Sequence, residues 1–221
     1  MPVTVPLLCK DYALNAKYSA LRPSALFLAF TAITLAVVII PFKPAFYPPN
    51  PGLESFVLAM GEALAHGMVI GRDLIFTYGP YASLSTRFYH PHTDLLVCMA
   101  SAYLALTHVL IFKALSRQFS LAAVLGIVLF ILLIKVGDFF FLFYPFLATL
   151  YAVTLVAPRP VSDKWQLLEL GLVFAALGLM PLVKGSYLLS VLVILPALAY
   201  LFYRRGNYAF LTVILIAPIV G

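Results

Sequence analysis

The sequence predicts an all-helical protein that crosses a membrane several times. Hydrophobic residues occupy 64% of the 221 positions and charged residues only 10%, which leaves too little polar surface to cover a soluble globule. Apolar runs close to the length needed to cross about 30 Å of hydrocarbon recur along the chain. Because a lipid interior offers the backbone no hydrogen-bond partners, we expect these runs to be helices.

We predict a polytopic transmembrane helical bundle, with seven spans in a single domain over residues 1–221. The connections after the second to sixth spans are only a few residues long, as in one compact bundle. The last run ends in "LIAPIVG" without a polar tail, which is compatible with the amino-terminal part of a longer membrane protein. The predicted spans cover residues 24–42, 93–115, 119–134, 139–157, 165–183, 187–203 and the segment from 208 onward.

The distribution of basic residues predicts the orientation of the chain. If the amino-terminal segment 1–23 is cytoplasmic, nine lysines and arginines lie on the inner side and five on the outer side, in agreement with the positive-inside rule. Residues 43–92 then form a long first loop on the extracytoplasmic side. The net charge of +6 does not indicate a nucleic-acid partner, because the basic residues are spread between the helices.

This first loop begins with an extended stretch and continues with a helix. Four prolines in "FKPAFYPPNPG" prevent a regular helix where the chain leaves the first span. The following "LESFVLAMGEALAHG" has apolar side chains at helical spacing and predicts a helix over about residues 53–65 on the membrane surface. Gly67 and Gly71 interrupt this helix, and "GRDLIFTYGP" ends in a Gly-Pro turn signal.

The stretch "HGMVIGRDLIFTYGPYASL", with one span before it and many after it, resembles the GT-C class of integral-membrane glycosyltransferases and related bacterial polytopic membrane proteins. The shared pattern is H-G-x-x-x-G-x-D-x-x-F-T-Y-G-P. The resemblance implies an enzyme of the bacterial cytoplasmic (inner) membrane that takes a sugar from a polyprenyl-phosphate donor at the outer face. It also implies that an acidic residue of the first outer loop is the catalytic base, and the matching position is Asp73.

Such a reaction needs both a base and cations. A carboxylate in hydrogen-bond reach can take the proton of an acceptor hydroxyl as the bond to the anomeric carbon forms. The leaving phosphate is negatively charged, so it requires cations near the membrane surface. We expect Asp73 to face a cavity rather than bulk water. The substrate-binding candidates are Arg72, Tyr78, His66, Arg87, Lys135, Asp138 and Lys184.

Several of these candidates also have simpler interpretations. Arg72 and Asp73 are neighbours and can form a local ion pair that contributes little. Lys135 and Asp138 can pair with each other in the short turn "IKVGDFF". Lys184 can extend its long side chain to the membrane interface and serve as an anchor.

The metal-binding potential of the sequence is weak. His90 and His92 form "HPH", but no third ligand follows at a recognisable spacing. Cys9 and Cys98 are too few for a disulfide framework or a cysteine metal site. The sequence therefore predicts no metal site and leaves the cofactor unknown.

A non-catalytic accessory or structural subunit of a larger membrane complex is the alternative function. GT-C enzymes generally have more spans than the seven predicted here, and a short chain of spans suits a subunit that packs beside other membrane proteins. A transporter is not indicated, because charged residues are almost absent from the centres of the spans and no repeat of broken spans is visible. Membrane lipid is the expected surrounding in either case.

Overall fold

A computed structural model describes residues 25–41, 55–74, 77–87, 90–134, 136–155 and 164–220. This part of the chain is all helical apart from two isolated backbone bridges. In chain order its helices are α1 (Ala25–Ile39), α2 (Ser55–Ala65), α3 (Ser83–Thr86), α4 (Asp94–Leu115), α5 (Leu121–Ile134), α6 (Asp138–Leu155), α7 (Lys164–Val183), α8 (Tyr187–Arg204) and α9 (Tyr208–Val220).

Four of the described helices are long and apolar enough to cross a membrane. They are α4, α6, α7 and α8, with 22, 18, 20 and 18 residues. At a rise of about 1.5 Å per residue these lengths correspond to roughly 27 to 33 Å, close to the hydrocarbon thickness of a bilayer. They coincide with the spans predicted at 93–115, 139–157, 165–183 and 187–203, and they indicate a membrane-embedded protein.

The three other predicted spans contain shorter apolar helices. α1, α5 and α9 have 15, 14 and 13 residues. Their lengths of roughly 20 to 23 Å are less than the hydrocarbon core requires of an upright helix. Seven spans therefore stay a prediction. The predicted cytoplasmic segment 1–23 and residues 43–54 of the predicted outer loop lie outside the described residues.

The core of the bundle lies between α4, α6 and α7. The fully buried Tyr144 of α6 donates its hydroxyl proton to the Val173 carbonyl of α7 at 2.9 Å. Tyr103 of α4 likewise donates to the Leu172 carbonyl at 2.5 Å. Because both hydroxyls have partners on α7, these large aromatic rings fill the core without leaving a polar group unpaired.

Helix α9 runs parallel to α7, and glycine permits their close contact. A β-carbon at Gly171 would lie 3.7 Å from the Val213 side chain, and one at Gly178 only 2.1 Å from the Pro218 carbonyl oxygen. The second distance is far below any normal contact, so a larger residue at Gly178 would force the helices apart.

The bundle has two ends, the loop end and the opposite end. The loop end contains the first residues of α6 and α8, the last residues of α7, and segment 77–87. The opposite end contains the last residues of α4 and α6 and the first residues of α7. At the opposite end the Gln118 side chain donates a hydrogen bond to the Thr154 carbonyl at 2.7 Å, which joins the segment after α4 to the end of α6.

Candidate functional site

The segment "TYGPY" at residues 77–81 is held against the end of α7 by main-chain hydrogen bonds. The last carbonyls of a helix have no partner within the helix. Here the Gly79 N–H donates to the Val183 carbonyl at 3.0 Å, and the Tyr81 N–H donates to the Leu182 carbonyl at 2.9 Å. The central part of the stretch that resembles GT-C enzymes thus closes the end of α7.

Glycine at position 79 is required by this contact. A β-carbon there would lie 2.2 Å from the Leu182 carbonyl oxygen, which is part of the backbone and has no room to move away. A third bond, from the Gly185 N–H to the Thr77 carbonyl at 2.9 Å, fixes the other side of the segment. The two stretches "FTYGP" and "PLVKGSY" are therefore joined through their backbones.

Five side chains meet beside this contact, and we call them the polar centre: Tyr78, Ser85, Asp138, Lys184 and Tyr187. Lys184 Nζ donates to Asp138 Oδ2 at 2.5 Å. Asp138 Oδ1 accepts from the Tyr187 hydroxyl at 2.9 Å and the Ser85 hydroxyl at 3.2 Å, with the Tyr78 hydroxyl more distant at 3.5 Å. A single carboxylate thus collects donors from segment 77–87, the turn after α7 and the start of α8.

The cation of the polar centre stays charged at neutral pH. Burial acts to lower the pKa of Lys184, but the hydrogen bond and charge of Asp138, together with Tyr78, outweigh burial and raise it above its ordinary value. Lys184 Nζ also lies 4.7 Å from the centre of the Tyr78 ring. The Lys184 and Asp138 side chains remain 21% and 38% exposed, so a ligand can approach both.

Asp73 lies in a different local arrangement. Its carboxylate accepts two hydrogen bonds from the Arg72 guanidinium, both at 2.9 Å, and a third from the Val69 N–H at 2.9 Å. The Arg72 bond and then the Val69 bond lower the pKa of Asp73, so this carboxyl group is ionised at neutral pH. Asp73 is exposed, which differs from the expectation that it faces a cavity, and the ion pair matches its simpler interpretation.

Asp73 is close in sequence to Tyr78, one member of the polar centre. Tyr78 lies five positions after Asp73, so their α-carbons are at most about 18 Å apart. Within the described part of the chain, no hydrogen bond joins the Asp73 carboxylate to the polar centre. The structure brings together Tyr78, Asp138 and Lys184, whereas Arg72 and Asp73 form a separate ion pair.

The remaining candidates are dispersed. Arg87 donates a hydrogen bond from its guanidinium to the Ile39 carbonyl at the end of α1, and burial lowers the pKa of Arg87 to about 10. His66 is exposed and lies 3.8 Å from the Glu62 carboxylate. Lys135 lies outside the described residues, and the described partner of Asp138 is Lys184 instead.

Sequence reasoning missed two members of the polar centre, Ser85 and Tyr187. Ser85 follows directly after the resembling stretch, which ends at Leu84, and Tyr187 lies three residues after Lys184. A tyrosine three residues after a lysine that ends a span was the available signal, since the turn brings both side chains to the same end of the bundle.

His90 lies 3.5 Å from Glu62, but no group of three or more metal-binding side chains occurs among the described residues.

No protein-family model, curated protein or solved structure matches this chain. The resemblance to GT-C enzymes therefore depends on the stretch from His66 to Leu84 and on the predicted order of the spans.

Proposed function

We propose that this chain is a GT-C-like glycosyltransferase, or part of one, which uses a polyprenyl-phosphate-linked sugar donor at the extracytoplasmic membrane face. One observation carries the proposal. The segment "TYGPY" of the resembling stretch is bonded through its backbone to the turn that contains Lys184, and both contribute to the polar centre. The stretch singled out by resemblance and a cluster of charged side chains thus share one end of the bundle.

The proposal assigns a role to each side chain. Asp73 is the base that takes the proton of the acceptor hydroxyl. Its exposed carboxylate accepts three hydrogen bonds from Arg72 and Val69, which leaves an acceptor position for the hydroxyl. Lys184 contacts the donor phosphate, and Asp138 keeps the Lys184 ammonium oriented. Tyr78 lies between the two groups along the chain and lines the path of the sugar.

The membrane arrangement is part of the same proposal. The amino terminus is cytoplasmic, residues 43–92 are extracytoplasmic, and α1, α5 and α9 complete seven spans in a bacterial inner membrane. A cysteine at Ser55, in a chain without Cys9 and Cys98, should react with an impermeant reagent on intact cells. A cysteine at Asn207, beyond the end of α8, should react only after lysis. The reverse pattern would invert the arrangement and place the polar centre in the cytoplasm.

Asp73→Asn tests the proposed reaction directly. The substitution keeps the size of the side chain but removes its ability to accept a proton, so transfer should fall by about a hundredfold or more. The measurement is transfer from a lipid-linked sugar by the full-length natural protein, with the variant at matched expression. Wild-type activity in Asp73→Asn would remove the assignment of the base.

The accessory-subunit alternative is favoured by the charge pairing. Arg72 already neutralises Asp73, and Asp138 already neutralises Lys184, as in ion pairs that only hold a structure together. Under this alternative the polar centre closes the loop end without taking part in chemistry. Absence of transfer with a varied set of polyprenyl donors, in a folded full-length protein, would favour it.

A further inference from the structure

Arg87 differs from the other described candidate cations because the described structure provides it with no counter-ion. Arg72 forms an ion pair with Asp73, and Lys184 forms one with Asp138. Among the described residues, no carboxylate lies within ion-pair distance of Arg87. A cation that is removed from water and lacks a counter-ion is costly, so buried charges in proteins are normally paired.

The Arg87 side chain is also incompletely hydrogen-bonded. One terminal nitrogen donates to the Ile39 carbonyl, which supplies a dipole but no negative charge. The Nε atom is buried and has no hydrogen-bond partner in the described part of the chain. Burial lowers the pKa of Arg87 to about 10, which still leaves the guanidinium charged at neutral pH. An unsatisfied cationic donor is therefore held at the loop end.

Two serine hydroxyls, one on α3 and one on α4, share this property. The hydroxyl oxygens of Ser83 and Ser101 are buried and lack hydrogen-bond partners among the described residues. Ser83 lies one turn before Arg87, whose N–H donates to the Ser83 carbonyl at 2.9 Å. Ser101 lies on α4, which packs against α3. The unpaired donors thus lie where α3 packs against α4.

The backbone at Arg87 is left-handed, because Arg87 ends the short helix α3. Its φ angle is 57°, the only positive φ of a non-glycine residue in the described part of the chain. Glycine or asparagine adopts this left-handed conformation more easily than arginine. Backbone strain of this kind persists where the surrounding structure enforces it, and it is concentrated at ligand sites.

We propose that Arg87, with Ser83 and Ser101, binds a phosphate-type oxyanion between α3 and the start of α4. A guanidinium binds such an anion through parallel N–H donors, and hydroxyl groups can donate to its remaining oxygens. The site is distinct from the polar centre, where the proposed function places the donor phosphate at Lys184. The anion at Arg87 is therefore a further phosphate group, either of a lipid or of free phosphate. Oxyanion binding itself requires no transfer reaction.

The test is a binding measurement on the purified full-length protein in neutral detergent. Farnesyl phosphate, inorganic phosphate, and mixed micelles with phosphatidylglycerol or phosphatidylcholine are titrated while the unfolding temperature is recorded, since a ligand of the folded state raises it. Farnesyl phosphate should raise the unfolding temperature of the wild type. Arg87→Gln should weaken its binding at least tenfold, and Arg87→Lys should weaken it less. Arg205→Gln, at the exposed end of α8, is the charge-matched control and should bind as the wild type does.

The substitutions also report on the unpaired charge without any ligand. Because Arg87 has no counter-ion, Arg87→Gln should leave the unfolding temperature of the free protein unchanged or raise it. If Arg87→Gln does not fold, the inference of an uncompensated charge is contradicted. Ser101→Ala then gives an independent measurement, and unchanged farnesyl phosphate binding in that variant would also count against the site.

The other outcomes of these measurements either overturn the oxyanion site or support it. If no phosphate compound raises the unfolding temperature of the wild type, the oxyanion site is wrong. The same conclusion follows if Glu54→Gln and Arg87→Gln lower that temperature equally and without additivity, because Arg87 would then pair with Glu54 of the same chain. Equal responses to farnesyl phosphate and phosphatidylglycerol support the oxyanion site, because both compounds carry the phosphate group that Arg87 is proposed to bind. Loss of transfer in Asp73→Asn with intact binding at Arg87 concerns the proposed function alone.

Discussion

The two ends of the bundle each contain a lysine–carboxylate pair, but the pairs have different surroundings. At the opposite end, Lys113 of α4 pairs with Glu169 of α7, and their side chains are 31% and 24% exposed. At the loop end, Lys184 pairs with Asp138 at similar exposure, 21% and 38%. Asp138 additionally accepts hydrogen bonds from hydroxyl groups, two of which belong to segment 77–87.

The difference shows what a purely structural pair requires and what the loop end adds. Two antiparallel helices are sufficient to place Lys113 opposite Glu169, and the pair links α4 to α7. The polar centre instead depends on side chains from segment 77–87, which is a loop and not part of a long helix. Its position is fixed by backbone hydrogen bonds to α7 and by Gly79. The comparison therefore supports the proposal that side chains at the loop end contact a ligand.

The largest effect is expected when the loop end is separated from α7. Gly79→Val would place side-chain atoms within 2.2 Å of the Leu182 carbonyl oxygen and would force segment 77–81 away. The overlap and the loss of partners for two helix-terminal carbonyls should lower the free energy of unfolding by about 3 kcal/mol or more. Unfolding in mixed detergent micelles and protease cleavage in the loop measure the change.

Gly126 of α5 provides the control for that substitution. A β-carbon there meets nothing within 4 Å, so Gly126→Ala should be neutral or stabilise the helix by up to about 1 kcal/mol. If Gly79→Val were as well tolerated as Gly126→Ala, segment 77–81 would not be held against α7.

A smaller effect is expected from removal of each carboxylate. Asp138→Ala leaves Lys184, Tyr187 and Ser85 without their acceptor and should cost about 2 kcal/mol of stability, since the site is partly exposed. Glu169→Ala removes the acceptor of Lys113 and should cost about 1 kcal/mol. The free energies of unfolding of the two variants are measured under the same conditions and compared. A greater loss in Glu169→Ala would mean that the additional donors at the loop end contribute nothing to stability.

The smallest effect is a dependence on alkaline pH at the loop end. The folded protein holds the pKa of Lys184 above its ordinary value. The contribution of this group to stability is therefore fully present below about pH 10.4, the unfolded pKa, and is lost as the pH rises through the folded pKa. For a partly exposed pair the loss should be less than about 1 kcal/mol. Unfolding measured from pH 8 to 12 should show this decline in the wild type, and Lys184→Met should lack that component.

The sequence was sufficient to locate the helices but not to give all their lengths. Hydrophobic runs marked α4, α6, α7 and α8 to within a few residues, because membrane burial leaves so strong a signal in composition. α1 ends at Ile39, before the end of the run that predicted it, because Pro41 disfavours helix in the residue before it. Residues after Pro41 and before α2 are outside the described part of the chain.

The members of the candidate site were only partly predictable, for a physical reason. Nearness in sequence favoured Lys135 as the partner of Asp138, whereas the described partner is Lys184, 46 residues away. That pairing depends on how α6 packs against α7, which hydrophobic periodicity does not specify. Tyr78 and Lys184 were identified because they lie in distinctive stretches. Ser85 has no distinctive sequence signal, and the position of Tyr187 three residues after Lys184 becomes significant only when segment 77–87 is in place.

The proposal that the loop end carries the function is tested most directly by a comparison of Lys184 and Lys113 in one transfer assay. Full-length Lys184→Met and Lys113→Met proteins are assayed at matched expression with a polyprenyl-linked sugar donor. Loss of a charge-assisted contact with the donor phosphate should lower kcat/KM of Lys184→Met by about tenfold or more, while Lys113→Met should stay within about twofold of the wild type. Equal losses in both variants, or wild-type efficiency in Lys184→Met, would contradict the assignment of function to the loop end.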